Sequence, residues 1–214
     1  MSLVAFDFDG TLSDSEMTVL LGEQCGVADR MAAITDRAMN DEIDYAESLR
    51  ERVALLEGLS LDHAEEAFAA VRLREGAADV IESLADAGVR TAILTGGFER
   101  GVNRALEREG LSVDRVIANR LVASKGALTG EVEGPLVEGT KDDALSDLAA
   151  DLNVPIEETV AVGDGANDRP MLAACGLAIG YDPKPAVESV CEVSVDSMAE
   201  LEGVLETEGG LPSC

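Results

Sequence analysis

Four short apolar runs punctuate the chain: Leu3–Phe8, Arg90–Thr95, Thr159–Gly163 and Leu177–Gly180. Each is bounded by turn residues and too short for a stable helix, the signature of a buried strand. Between the later runs the apolar positions recur at helical spacing. The pattern predicts a helix over Gly76–Ala87 that stops at Gly88, and another over Gly97–Glu109 that stops at Gly110. Glycine just past a helix supplies the left-handed backbone that ends it. Thr140–Leu152 is helical with a Thr140–Asp143 cap, and Ser197 with Glu200 opens the last helix as a capping box. Strands alternating with helices predict parallel βαβ units, hence an α/β fold with a mainly parallel sheet flanked by helices.

Residues 14–74 break this alternation. Helical patterns follow one another over Glu16–Gln24, Ala28–Met39, Asp44–Leu56 and Leu61–Val71. A helical block placed straight after the first strand reads as an insertion. The expected organisation is a catalytic core of residues 1–13 and 75–214 carrying a helical cap domain of residues 14–74. Arg120–Glu131 reads as a hairpin turning at Ser124-Lys125-Gly126, and Glu208–Cys214 as a frayed tail. Met31 is expected in the interior of the inserted helices, and His63, the lone histidine, on the surface.

The segment Asp7-Phe8-Asp9-Gly10-Thr11-Leu12 leaves the first strand. Residues two apart on extended chain face the same way, so Asp7 and Asp9 present two carboxylates at the strand's carboxyl end. Open α/β sheets bind ligands at that edge. Two such acids repel unless a cation intervenes. Mg²⁺, content with few carboxylates plus water and phosphate oxygen, is the natural one. A carboxylate can also attack phosphorus. Val162-Gly163-Asp164-Gly165-Ala166-Asn167-Asp168 leaves another strand, and Asp164 completes a metal set of Asp7, Asp9 and Asp164. Asp168 is either a group ordering that set from behind or a plain helix N-cap. The Thr95 hydroxyl and Gly96 amide stand at a third strand end, placed for phosphate oxygens. Lys141, at a helix start after a glycine-rich loop, is a candidate to neutralise phosphate charge beside Asp7.

Charge changes the setting. The formal net charge is −27 and only three lysines are present, Lys125, Lys141 and Lys184. Such self-repulsion is screened in concentrated salt, where the Debye length falls to roughly 3 Å at 1 M. A halophilic setting is the expectation, and nucleic acid and anionic membrane are excluded as partners. Four cysteines without CxxC spacing, with one histidine, exclude zinc and dithiol motifs and fit reduced thiols in a cytoplasmic protein. Neither a signal peptide nor a membrane span is expected. Aromatics are only 3%, so packing must rest on aliphatic side chains.

These motifs, in this order, resemble the haloacid dehalogenase (HAD) superfamily along the whole chain. The resemblance implies a Rossmann-like core with a small cap of the C1 type and Mg²⁺-dependent phosphomonoester hydrolysis. It implies that Asp7 attacks phosphorus, and that Asp9 protonates the leaving oxygen and then activates water. Thr95, Gly96 and Asn167 would hold the substrate, Lys141 would balance charge, and Asp164 would bind the metal. The strings AMNDEIDYAESLRERVALL, ILTGGFERGVN, ANRLV and AVGDGAND resemble the branch of that superfamily acting on phosphoserine in serine biosynthesis. On that likeness Glu16 contacts the substrate ammonium, Arg52 grips its carboxylate and Met39 covers it. Arg50 and Arg52 lie about 200° apart on a helix, so both cannot face one site. Gly10 and Thr95 stand where serine is common in that branch, and Tyr45 where phenylalanine is usual. The alternatives are another small phosphate ester, or phosphoryl transfer to an alcohol, with the chain acting as a monomer or homodimer.

Overall fold

The structure is a computed structural model that describes residues 2–39 and 42–207. The first strand, β1 (Leu3–Phe6), is followed by four helices, α1 (Met17–Cys25), α2 (Ala28–Met39), α3 (Tyr45–Ala54) and α4 (Leu61–Ala70). Then come α5 (Ala77–Asp86), β2 (Arg90–Phe98), α6 (Glu99–Glu109) and the hairpin β3 (Arg115–Ser124) and β4 (Ala127–Glu133). The chain closes with α7 (Lys141–Asp151), β5 (Thr159–Gly163), α8 (Arg169–Ala174), β6 (Leu177–Tyr181), α9 (Pro185–Glu188), β7 (Val193–Val195) and α10 (Met198–Thr207).

The seven strands form one sheet in the order β4-β3-β2-β1-β5-β6-β7, parallel except for the β3–β4 hairpin. Side chains alternate across it as period-two geometry requires. Val4 and Phe6 of β1 join a core with α5, α6 and α10, whereas Leu3 and Ala5 join a second core with α7 and α8. Both faces of β1 are fully buried, which explains its continuous apolar sequence.

The inserted helices share the first of these cores. Met17, Met31, Leu49, Val53 and Phe68 are buried in it, and Phe68 meets Phe98 of β2 edge-to-face at 6.3 Å. Such a pair adds about 0.5–1.5 kcal/mol beyond its buried area. Two chain crossings tie the insertion down. Ser13 bridges Leu73, and the Arg74 amide donates to the Leu12 carbonyl at 2.8 Å. Residues 58–61 also pair along β4, with Gly58 N–H donating to Leu128 and Leu61 N–H to Gly126. The hairpin edge is thereby covered, as exposed strand edges require.

Several details depart from the sequence pattern. β2 runs on through Phe98, which pairs with Asn119 after a bulge, so α6 starts at Glu99 rather than Gly97. The Thr140 hydroxyl donates to the Asp143 carboxylate at 3.1 Å and caps no backbone amide. At α10 the Glu200 amide donates to Ser197 Oγ, but the Glu200 carboxylate accepts from the Asp196 amide, one residue earlier than a capping box. Gly88 and Gly110 do carry left-handed φ of 71°. The tail Glu208–Cys214 lies outside the described residues. Among those described, no helix is long and apolar enough to cross a membrane.

Candidate active site

The parallel register builds the site. Phe6 of β1 stands beside Val162 of β5, and the Asp7 amide donates to the Val162 carbonyl at 2.8 Å. The next residues out are Asp7 on one strand and Asp164, after Gly163, on the other. Their carboxylates must therefore meet at the carboxyl edge of the sheet. Between them lies Gly10, with φ of +93°. A Cβ there would fall 2.5 Å from Asp164 Oδ2, so only glycine admits both the turn and the acid. The Arg74 guanidinium holds this turn from behind, donating to the Gly10 and Thr11 carbonyls at 3.0 Å each while lying over the Tyr181 ring.

Asp7, Asp164 and Asp168 are buried and each offers an oxygen within 4.8 Å of the others'. Asp168 is fully occupied: Oδ1 accepts from Lys141 Nζ at 2.5 Å, and Oδ2 accepts from the Asp164 and Gly165 amides at 2.9 Å. It orders the Asp164 loop and Lys141 rather than offering a free ligand, so it is more than a helix cap. Lys141, the first residue of α7, also pairs with Asp7. Asp9, the third expected metal residue, does not share this three-acid cluster through its side chain. Its carboxylate turns instead toward Gly97, where a Cβ would lie 2.6 Å from Asp9 Oδ2. β1 ends at Phe6, so the alternation that aligns residues two apart does not extend over residues 7 and 9.

Among the described residues, Asp9 Oδ1 is buried without a hydrogen-bond partner. Burial, then the charges of Glu16 and Asp7, hold its carboxyl well above the usual range. Asp7 is also raised, by burial and by Asp168 and Asp164, against the opposing pull of Lys141. Lys141 itself is pushed up: burial disfavours its charge, but Asp168 and Asp7 outweigh that.

Opposite the acids, Thr95 Oγ1 accepts from the Gly97 amide at 3.0 Å, and among the described residues its hydroxyl hydrogen has no acceptor. The Gly96 carbonyl is pinned by Asn119 Nδ2 at 3.1 Å, fixing the peptide plane of the turn. Asp7, Asp9, Glu16, Arg52, Thr95 and Asp164 line one cavity of about 120 Å³. Arg52 is anchored by Thr18 Oγ1 and the Ser48 carbonyl, each at 3.3 Å. Arg50 points outward to Glu138, as helix geometry demands. Asn167 lies exposed at the cavity rim; Met39 ends α2, and its side chain lies outside the described residues.

Four residues outside the expected site set belong to its surroundings. Lys184 Nζ pairs with Asp164 Oδ2 at 2.7 Å and faces Glu16. Tyr45 hangs over Gly96, Asn119 pins that turn, and Arg74 holds the Gly10 turn. The rarity of lysine that picked out Lys141 applies equally to Lys184. Tyr45 stood out only as a departure from the phenylalanine usual in that branch, and Asn119 and Arg74 carried no signal short of the fold.

The acids Asp7, Asp9, Glu16, Asp164 and Asp168 face three cations, Lys141, Lys184 and Arg52. With every acid but Asp9 ionised, one negative charge is left over, an excess that favours a cation. Oxygen ligands, buried and adjacent to a phosphate-sized cradle, suit a hard divalent cation. The residues present therefore fit such a metal, with Asp7 and Asp164 able to hold it.

The profile of haloacid dehalogenase-like hydrolases matches residues 4–173, and the chain belongs to that family. It is 54% identical over 209 residues to the phosphoserine phosphatase of Halobacterium salinarum, covering 98% of this chain and 99% of that one. A solved phospho-aspartyl intermediate analogue of phosphoserine phosphatase superposes with a TM-score of 0.87 at 36% identity, covering 96% and 97% of the two chains. A substrate-bound phosphoserine phosphatase complex matches with the same TM-score at 35% identity and the same coverage.

Proposed function

We propose that the chain hydrolyses O-phospho-L-serine to L-serine and phosphate through an aspartyl-phosphate on Asp7, with Mg²⁺ held at Asp7, Asp9 and Asp164. The observation that carries the substrate is the convergence of Glu16 and Arg52, opposite in charge, on the cavity of Asp7 and Asp9. Phosphoserine carries an ammonium and a carboxylate besides its phosphate, and these side chains match both. The 54% identity to a phosphoserine phosphatase supports the same reading.

In the first half-reaction the Asp7 carboxylate attacks phosphorus while the seryl oxygen leaves with the proton of Asp9. In the second, Asp9 takes a proton from water, which attacks the phosphorus of the aspartyl-phosphate. Phosphate departs and Asp7 is restored. The upward shift of the Asp9 carboxyl suits the first step, because it favours the protonated form that the leaving oxygen needs. Thr95 and the Gly96 amide cradle the phosphoryl oxygens, Asn167 borders them, and Lys141 balances their charge. Mg²⁺ supplies further neutralisation of the phosphoryl group. Residues 14–74 act as a lid on a core of residues 1–13 and 75–214, and Met39 caps the substrate. Closure excludes water while Asp7 attacks. The working environment is a cytoplasm at high ionic strength.

The test is phosphate release from a panel of small phosphoesters in Mg²⁺ and molar salt. Phosphoserine should have the highest kcat/KM. A sugar phosphate, phosphoglycolate or nucleotide turned over faster would overturn the assignment of substrate.

A further inference from the structure

Tyr45 is the first residue of α3, fixed there by Asp44, whose side chain accepts from the Glu47 amide at 2.7 Å. Its ring is partly exposed, but its hydroxyl turns inward over the phosphate-binding turn. A Cβ built on Gly96 would lie 1.7 Å from the Tyr45 hydroxyl oxygen and 2.8 Å from Cζ. The phenol thus occupies the space any side chain at position 96 would need. The ring also stands between two cavities: the catalytic one, and an outer one of about 360 Å³ bordered by Asp44, Leu136, Glu138 and Pro170.

A phenylalanine would cover the turn equally well. The hydroxyl is the added feature, and it has no hydrogen-bond partner among the described residues. Set over the phosphate-binding turn, the hydroxyl is placed to donate to a ligand held there. Burial, opposed by the Arg52 and Lys141 charges, holds the Tyr45 pKa up to about 12, so the group stays a donor at neutral pH. Its surroundings are the turn whose Thr95 hydroxyl and Gly96 amide suit phosphoryl oxygens, together with Asp7 and Asp9.

We propose that the Tyr45 hydroxyl donates a hydrogen bond to a phosphoryl oxygen of the bound ester, making Tyr45 a phosphate-binding residue carried on the lid. The inference rests on the phosphomonoester reading of the site but not on which ester is natural. Tyr45→Phe keeps the ring and the covering of Gly96, so folding is not at stake. The probe is inorganic phosphate, as an inhibitor of aryl phosphate hydrolysis in Mg²⁺ and by calorimetry on the same protein. Tyr45→Phe should weaken phosphate binding about ten-fold, or about 1.4 kcal/mol, and raise KM for phosphoserine and aryl phosphate alike. Phosphate binding within two-fold (about 0.4 kcal/mol) of the parent would overturn the proposal. So would a KM increase confined to phosphoserine, which would put the hydroxyl at the amino-acid end of the substrate. Failure of the phosphoserine reading would show separately, as a parent enzyme preferring another ester while the phosphate measurement still stands.

Discussion

The Lys141 ammonium lies 2.5 Å from Asp168 Oδ1 and pairs in the same buried pocket with Asp7. Asp168 in turn accepts from the amides of Asp164 and Gly165. The candidate nucleophile, its counter-charge and the second metal-facing loop are therefore one connected unit. Lys141→Met leaves two buried acids without their cation. The expected result is loss of roughly 3–5 kcal/mol of metal-free stability in urea unfolding and a fall in kcat of about 10³. A variant with parent stability and less than ten-fold loss would show that the pairing is incidental.

The pH dependence follows from the acids. Asp7, Asp9 and Asp164 are all raised above 3.8 in the fold. The folded protein thus binds protons more tightly than the unfolded chain. The stability this contributes is fully present below 3.8 and is lost as pH rises through the raised values. A divalent ion offsets the exposed charge and competes with those protons. The Tm gap between Mg²⁺-loaded and EDTA-treated protein should widen as pH rises from about 5 to about 8. A gap that narrows over that range would contradict a metal at these carboxylates.

Glu16 and Arg52 line the cavity, whereas Arg50, two residues from Arg52, pairs outside it with Glu138. Glu16→Gln and Arg52→Ala should raise KM for phosphoserine by about ten- to hundred-fold and barely change KM for an aryl phosphate. Arg50→Ala is the matched control. Its ion pair is exposed at both ends, and such pairs contribute about 0–1 kcal/mol. Equal effects of the three changes on both substrates would remove the case for recognition of an amino acid.

Net charge of −27 sets a different expectation. Activity and thermal stability should persist or rise into molar KCl, as screening relieves the repulsion. A rate optimum near zero added salt would defeat the halophilic reading.

What the sequence disclosed depended on distance along the chain. β1, β5 and β6 were legible because buried parallel strands leave unbroken apolar runs. β7, three residues long, and the parallel part of β3, interrupted by polar residues, lack any such pattern. Asp7, Asp164 and Lys141 were legible because each sits where a strand ends or a helix begins. The side chain of Asp9 leaves the line of Asp7 because the strand stops at Phe6 and alternation does not carry past it. Lys184 and Arg74 act on Asp164 and Gly10 from remote loops, through contacts that no local pattern encodes.

The most direct measurement is acid quench of the enzyme during turnover of phosphoserine, followed by mass spectrometry of its peptides. The phosphoryl group should be found on Asp7 as an acyl phosphate, labile to base and hydroxylamine, and absent from Asp7→Asn. Steady turnover by Asp7→Asn, or a phosphoryl group carried on any other residue, would contradict the account.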